Sequence, residues 1–298
     1  MASSIREYDT AELSVAIGRT TALGPPPRHV LRRMLSSRIG VIGVTLTALL
    51  LLVGVAAPLI APAGPFEIDG PSLAAPSWDH PMGTDALGRD VLSGVVYGAR
   101  TSLIVAMGVG ALVLIIGLAV GTVSGYSGGK IDDMLMRATE VFQVIPRFFL
   151  AVLAIAFFGP GLDRIVLVIG LTSWTTLART VRSEVLSLRE TEFVQAAHAL
   201  GASRLRVIRD DLIPSALPSA LVIVGLVLAH ALLLEASLGF LGLGDPNAMS
   251  WGTLASEAQQ FLRVAWWLSL FPGIAITLAV LGLNLLGDAL NQALAGRS

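Results

Sequence analysis

Cysteine is absent from the 298 residues, which excludes disulfides, thiol nucleophiles and thiolate metal sites. Histidine is nearly absent: His29, His80, His198 and His230 are scattered with no ligand spacing, so no metal site is expected. Charge is scarce too. Only 14% of residues are Asp, Glu, Lys or Arg, against about a quarter in soluble domains. The formal net charge is −1, which makes no electrostatic case for nucleic acid. No Ser/His/Asp set and no paired-carboxylate arrangement stands out, so the chain offers no pattern for nucleophilic or acid–base catalysis. Asp85 and Asp90 lie five residues apart with a Gly between them, a spacing that suggests turn-making and capping. Glu235, Asp245 and Glu257, in or beside one polar stretch, read the same way, as solvated or capping carboxylates.

What the chain has is apolar surface: 54% of residues are hydrophobic and mean hydropathy is +0.76. A helix needs about 20 mostly apolar residues to cross a bilayer. Residues 39–62, 103–123, 141–158, 212–234 and 266–290 meet or approach that, and a shorter run, 165–178, extends through uncharged Thr and Trp to Arg179 and Arg182. The fold class expected is an all-α integral membrane protein of six transmembrane helices. With six spans, only Arg89, Arg100, Arg164 and Arg263 of the 20 Lys and Arg fall on the side opposite the termini. The positive-inside rule then places both termini in the cytoplasm. The organisation expected is a basic cytoplasmic tail (1–38), a first span (39–62), an outer segment (63–102) and a core of five spans (103–294) holding a cytoplasmic loop (179–213).

Ionisable residues inside spans mark function by default, and few are present. Arg147 can snorkel from the cytoplasmic end of the third span. His230 is expected to hydrogen-bond between helices, and Asp288 lies at the inner end of the last span. No relay of buried acids suggests ion coupling, which disfavours an ion-coupled secondary transporter. The hydroxyl cluster Thr172, Ser173, Thr175 and Thr176 is the most polar piece within a span; it lines a translocation path or serves helix packing. "GYSGGK", ending at Lys130, is not a phosphate loop: Ser124 occupies the first Gly position and Ile131 follows the Lys. Its glycines read as a tight turn.

The odd passage is "EFVQAAHALGASRLRVIRDDLIP", residues 192–214, charged and helix-like between apolar runs. Phe193, Ala197 and Leu200 fall on one helical stripe, Gly201 interrupts it, and Ser203 is a suitable N-cap for a second short helix. Leu205, Ile208 and Leu212 are expected to continue the stripe. A small, Ala-rich helix of this kind suits insertion into a groove on another protein, and an amphipathic loop resting on headgroups gives the same pattern.

This passage resembles the coupling loop of importer-type ABC permeases, with Ala196, Ala197, Gly201 and Pro214 matching in type and spacing. Gln195 stands where that family usually has Glu, and Asp211 where it usually has an apolar residue. "HPMGTDALGRDVLSGVVYGARTSL", "GYSGGKIDDMLMRATEVFQVIP", "EASLGFLGLGDPNAMSWGTLASEA" and "FPGIAITLAVLGLNLLGDALNQAL" resemble, in order, further segments of the dipeptide, oligopeptide and nickel permeases. The layout resembles the second, shorter permease of the pair. The resemblance implies a non-catalytic permease subunit for peptides, or for nickel complexes or another small solute. It implies no cofactor on this chain, with ATP and Mg held by partner subunits. It also implies a second homologous permease, two ATP-binding domains (separate or fused) and an extracytoplasmic substrate-binding protein, in a bacterial plasma membrane. Gln195, Ala196, Ala197, Gly201, Arg204 and Pro214 would then contact the ATPase. Asp85, Arg89, Asp90 and Trp251 would belong to the outer docking segment.

Overall fold

The computed structural model describes residues 27–295, so residues 1–26 of the expected basic tail lie outside the described part. The elements are α1 (Pro27–Ser36), α2 (Arg38–Val55), the single turn α3 (Ala57–Ile60), α4 (Val91–Ser127), α5 (Gly129–Val144), α6 (Arg147–Phe158), α7 (Leu162–Arg189), α8 (Glu192–Ala199) and α9 (Arg204–Val207). A π-turn, Ile208–Leu212, leads into α10 (Ile213–Phe240), followed by α11 (Trp251–Ala258) and α12 (Trp267–Ala295). No strand occurs among the described residues; two isolated bridges, Ile68–Arg89 and Thr84–Asp90, fold the segment before α4.

Among the described residues, four helices are long and apolar enough to cross a membrane: Arg38–Val55, Val91–Ser127, Arg204–Phe240 and Trp267–Leu294. A fifth span arises if α5 and α6, bent by 77°, count as one. The straight span expected over 141–158 is therefore broken. Pro146 has no N–H to donate and disfavours helical backbone at Ile145, which is extended at φ −88° and ψ 124°. With 12 residues, α6 is about 18 Å long, too short to cross alone. Helix α7 has 28 residues but is not apolar enough to qualify. Helix α4 begins at Val91, so the last twelve residues of the expected outer segment belong to it.

The largest packed interface joins α4 to α7. Gly117, Gly121 and Gly125, one helical turn apart on α4, let the two backbones close up. A Cβ at Gly117 would fall 2.8 Å from Leu177, one at Gly121 would fall 2.5 Å from the Ala178 carbonyl oxygen, and one at Gly125 would fall 2.8 Å from that of Arg182. Small residues in this pattern are how helices associate where lipid removes the hydrophobic drive. Val105, Val109 and Val113 of α4 then interdigitate with Ile165, Ile169, Leu177, Val181 and Val185 of α7 and with Ala216, Ala220 and Val224 of α10. Gly121→Leu is expected to overpack this seam at a cost of about 1–3 kcal/mol, read as a lowered melting temperature in detergent. Met107→Leu, at a position 66% exposed, should leave the melt unchanged.

Candidate functional site

The polar passage folds as a helix–turn–helix hung from the ends of α7 and α10. Thr191 extends the backbone after α7, its hydroxyl donating to the Leu188 carbonyl, and α8 starts at Glu192. Val194, 1% exposed, anchors α8 to the body, and Ala197 packs half-buried beside the core. Gln195 and Ala196 are exposed. The Gln195 amide turns back and donates to the Glu190 carbonyl at 3.1 Å. Helix α8 ends in two reciprocal bonds, Ala202 N–H to Ala197 O at 3.0 Å and Gly201 N–H to His198 O at 2.9 Å, the Schellman pattern. Gly201 sits at φ +85°, and a Cβ there would meet nothing within 4 Å, so backbone conformation rather than crowding demands glycine.

Ser203 caps the next turn by accepting from Arg206 N at 3.4 Å. The expected pair of separate short helices is not what forms. Helix α9 runs through the π-turn directly into α10, giving one apolar helix from Arg204 to Phe240. Pro214 cannot donate to the Asp210 carbonyl, and the Ile213 N–H reaches back five residues to Ile208, so the ladder widens by one residue there. The expected stripe is also shifted. Val207 and Leu212 are fully buried, Ile208 is half-buried, and Leu205 is 74% exposed. Phe193 at 42% and Leu200 at 89% are exposed as well. The protruding surface is therefore Phe193, Ala196, Leu200 and Leu205, ringed by exposed Arg204, Arg206 and Arg209. Pro214 is exposed at its base.

Contacts at His198 and Arg189 hold α8 and the end of α7 against α4. His198 Nε2 lies 3.4 Å from the Tyr126 hydroxyl, Arg189 Nη1 donates to the Gly125 carbonyl at 3.3 Å, and Arg189 Nε pairs with Glu190 at 2.9 Å. Behind them, Asp132 of α5, 7% exposed, receives Arg182 Nε and Nη2 of α7 at 2.5 Å each and the Ser124 hydroxyl of α4. Sequence reasoning missed this three-helix tie because Asp132 and Arg182 are 50 residues apart, with no local pattern linking them. The turn joining α4 to α5 is made by Gly128 and Gly129, as "GYSGGK" suggested.

At the opposite end, Asp85 and Asp90 do the turn-making and capping expected of them. Asp85 Oδ1 accepts from Leu87 N at 2.8 Å and Arg89 N at 2.9 Å, and its other oxygen takes Arg89 Nε. Asp90 is the N-cap of α4, accepting from Ser93 N at 2.7 Å, and it also meets His80 Nδ1 at 3.2 Å. Arg89 continues to Glu257 of α11 at 2.6 Å. Burial pulls the Arg89 guanidinium down, but hydrogen bonds to Glu257 and Asp85 outweigh it, and its pKa rises above the ordinary value. Trp251 opens α11 and is 2% exposed; its indole N–H donates to the Val95 carbonyl at 2.8 Å and its ring lies against Gly98. All four residues thus point inward and shape the segment before α4 and its contact with α11. Exposed apolar side chains there include Phe66, Ile68, Trp78, Leu87, Val264 and Trp266.

Asp245 caps as expected, accepting from Leu162 N at the start of α7 at 3.1 Å. Glu235 departs from expectation. It is neither solvated nor capping but 1% exposed within α10, 3.5 Å from the Ser102 hydroxyl and in reach of that of Ser250. His230 also differs, bonding the Leu226 carbonyl of its own helix at 3.0 Å rather than a neighbouring helix.

Of the hydroxyl cluster, Thr172, Ser173 and Thr175 are buried within the chain and Thr176 is exposed. Thr172 returns its proton to the Val168 carbonyl at 2.7 Å. Thr176, Thr180, Ser183 and Ser187 instead form a hydroxyl stripe down the face of α7 opposite Leu177, Val181 and Val185. Arg179, Thr180, Ser183, Glu184, Ser187 and Leu188 line an open groove of about 590 Å³ there. No group of three His, Asp or Glu that could hold a metal occurs among the described residues.

Such an architecture, all-helical among the described residues with several apolar spans and a small-residue helix held out from one end, is that of a multi-pass membrane protein. Comparison with known proteins narrows the class. The family described as binding-protein-dependent transport system inner membrane component matches residues 114–298. The dipeptide transport system permease protein DppC of Alkalihalophilus pseudofirmus is 36% identical over 271 residues, covering 90% of this chain and 89% of that protein. The oligopeptide transport system permease protein OppC of Bacillus subtilis is 33% identical over 273 residues, covering 90% and 88%. Among solved structures, a chain of the inward-facing MetNI methionine ABC transporter superposes with a TM-score of 0.57 at 21% identity, covering 69% of this chain and 97% of that one. At that identity the likeness concerns the fold. The chain belongs to the family of inner membrane components of binding-protein-dependent transport systems.

Proposed function

We infer that this chain is the transmembrane permease subunit of an ATP-driven peptide importer, moving cargo by alternating access between two states that partner subunits bias. The observation that carries the reading is the exposed helix α8, pinned at Val194 and closed by Gly201. It belongs to a chain whose relatives are named dipeptide and oligopeptide permeases. In this reading α7 is the fourth of six spans, with its polar side chains turned onto α4 and into the groove rather than into lipid, and both termini are cytoplasmic in a bacterial plasma membrane. The hydroxyl stripe from Thr176 to Ser187 lines the path. The chain is non-catalytic and binds no cofactor; ATP and Mg act on two partner ATP-binding domains that grip Phe193, Ala196, Gly201 and Leu205. A second homologous permease completes the path. A substrate-binding protein docks on the outer segment, whose shape Asp85, Arg89, Asp90 and Trp251 maintain.

The test is isolation of the chain from native membranes in mild detergent, with mass spectrometry of what stays bound. A second permease together with an ATP-binding subunit is the expected result. A homo-oligomer lacking both would overturn the reading.

A further inference from the structure

Helix α1 plays no part in the coupling described above, yet its junction with α2 is built with care. Ser37 is extended between the two helices at φ −101° and ψ 144°, and its hydroxyl accepts from Gly40 N at 3.0 Å. A Cβ at Gly40 would lie 1.9 Å from the Met34 carbonyl oxygen, so the corner closes only over a glycine. Helix α1 is thereby fixed against the first turn of a membrane span.

Its side chains divide by face. Leu31, Met34 and Leu35 share one side at helical spacing, while Arg32 and Arg33 fall on the other. Met34, 7% exposed, is buried with Ala289 and Ala293 of α12. Leu31 and Leu35 beside it remain 54% and 46% exposed. Arg32, Arg33 and Arg38 are exposed. Protein thus covers only the Met34 edge of the apolar face. Leu31 and Leu35 meet the surroundings at the level where α2, long and apolar enough to span, begins.

An apolar strip at that depth, with cations on its opposite side, has the form of an interfacial helix, and Arg next to a span attracts anionic headgroups. We propose that α1 lies in the membrane surface and binds anionic phospholipid, with Leu31 and Leu35 in the acyl boundary and Arg32 and Arg38 on headgroup phosphates. Through Met34 the bound lipid braces the end of α12. The inference stands on the corner and the charge pattern, so it is independent of what cargo the chain carries.

Because the chain has no Cys, Leu35→Cys gives a single site for an environment-sensitive fluorophore on the full-length protein. The labelled protein is reconstituted in vesicles of phosphatidylcholine alone and of phosphatidylcholine with phosphatidylglycerol. A blue-shifted emission quenched by brominated lipid is expected, stronger with phosphatidylglycerol and weakened by salt. Native mass spectrometry should show phosphatidylglycerol retained over phosphatidylcholine. Each of Arg32→Gln and Arg38→Gln should lower that preference by roughly fivefold, and Arg32→Lys should keep it. Equal retention of the two lipids in wild type and variants would overturn the proposal. So would a label that stays in water and is shielded only when an ATP-binding subunit is added, which would make α1 a protein contact.

Discussion

Gly201→Pro should cut ATP-driven peptide uptake by at least tenfold while the chain remains in the membrane at normal abundance. Pro locks φ near −65°, whereas Gly201 sits at +85° and its N–H bonds the His198 carbonyl. Both closing bonds of α8 would go, leaving Val194 as its main anchor and the Phe193, Ala196 and Leu200 surface no longer presented. No buried span residue is touched, so insertion should not suffer. Gly201→Ala is the graded control. With nothing within 4 Å of the new Cβ, it carries only the left-handed backbone cost, about 1–2 kcal/mol, and partial coupling is expected. The measurement is uptake of labelled peptide by proteoliposomes alongside ATPase rate. Wild-type uptake in Gly201→Pro at normal abundance would remove α8 from the mechanism.

Asp132→Ala should be the most destabilising single change outside the apolar core. It strips a bidentate partner from Arg182 and an acceptor from Ser124, in a site where Asp132 is 7% exposed. Breaking a buried pair costs about 3–5 kcal/mol. The Arg182 side chain keeps 32% of its exposure, so solvent partly screens the pair and the expected cost falls below that range, to about 1–3 kcal/mol. Removing both charges should be milder than removing one, because no uncompensated ion is left behind. Asp132→Leu with Arg182→Met should therefore melt above either single variant in detergent. Singles that melt like wild type would mean water already screens the pair.

The parts of this molecule legible in sequence are those decided within a few residues. Ser203 as a cap, Gly201 as the break in the polar passage and Asp90 before α4 each act on neighbours in the chain, and each is where local chemistry puts it. The long apolar runs were readable for the same reason. What sequence could not settle was which of two possible faces a short helix buries. Leu205 and Val207 both suit a stripe, and the choice is made by tertiary packing, which buries Val207 and Leu212 in the cluster that holds Val181 and Val185. Glu235 misled in a related way: a Glu beside a polar loop is usually solvated, yet here its partner Ser102 sits 133 residues away. The break at Ile145 and Pro146 was available locally, in the proline itself, but an apolar run across it masks the signal.

The continuous helix from Arg204 to Phe240 has a consequence for scale. Its 37 residues make a rod about 55 Å long, beginning in the surface that a partner would grip and ending beside the outer segment. A tilt of about 3° around the middle of such a rod moves each end by about 1.4 Å, in opposite directions. That is comparable to the helix shifts by which packed interfaces switch state. Because the π-turn and Pro218 both lie near the Arg204 end, any bend falls there and the remaining turns to Phe240 move as one piece.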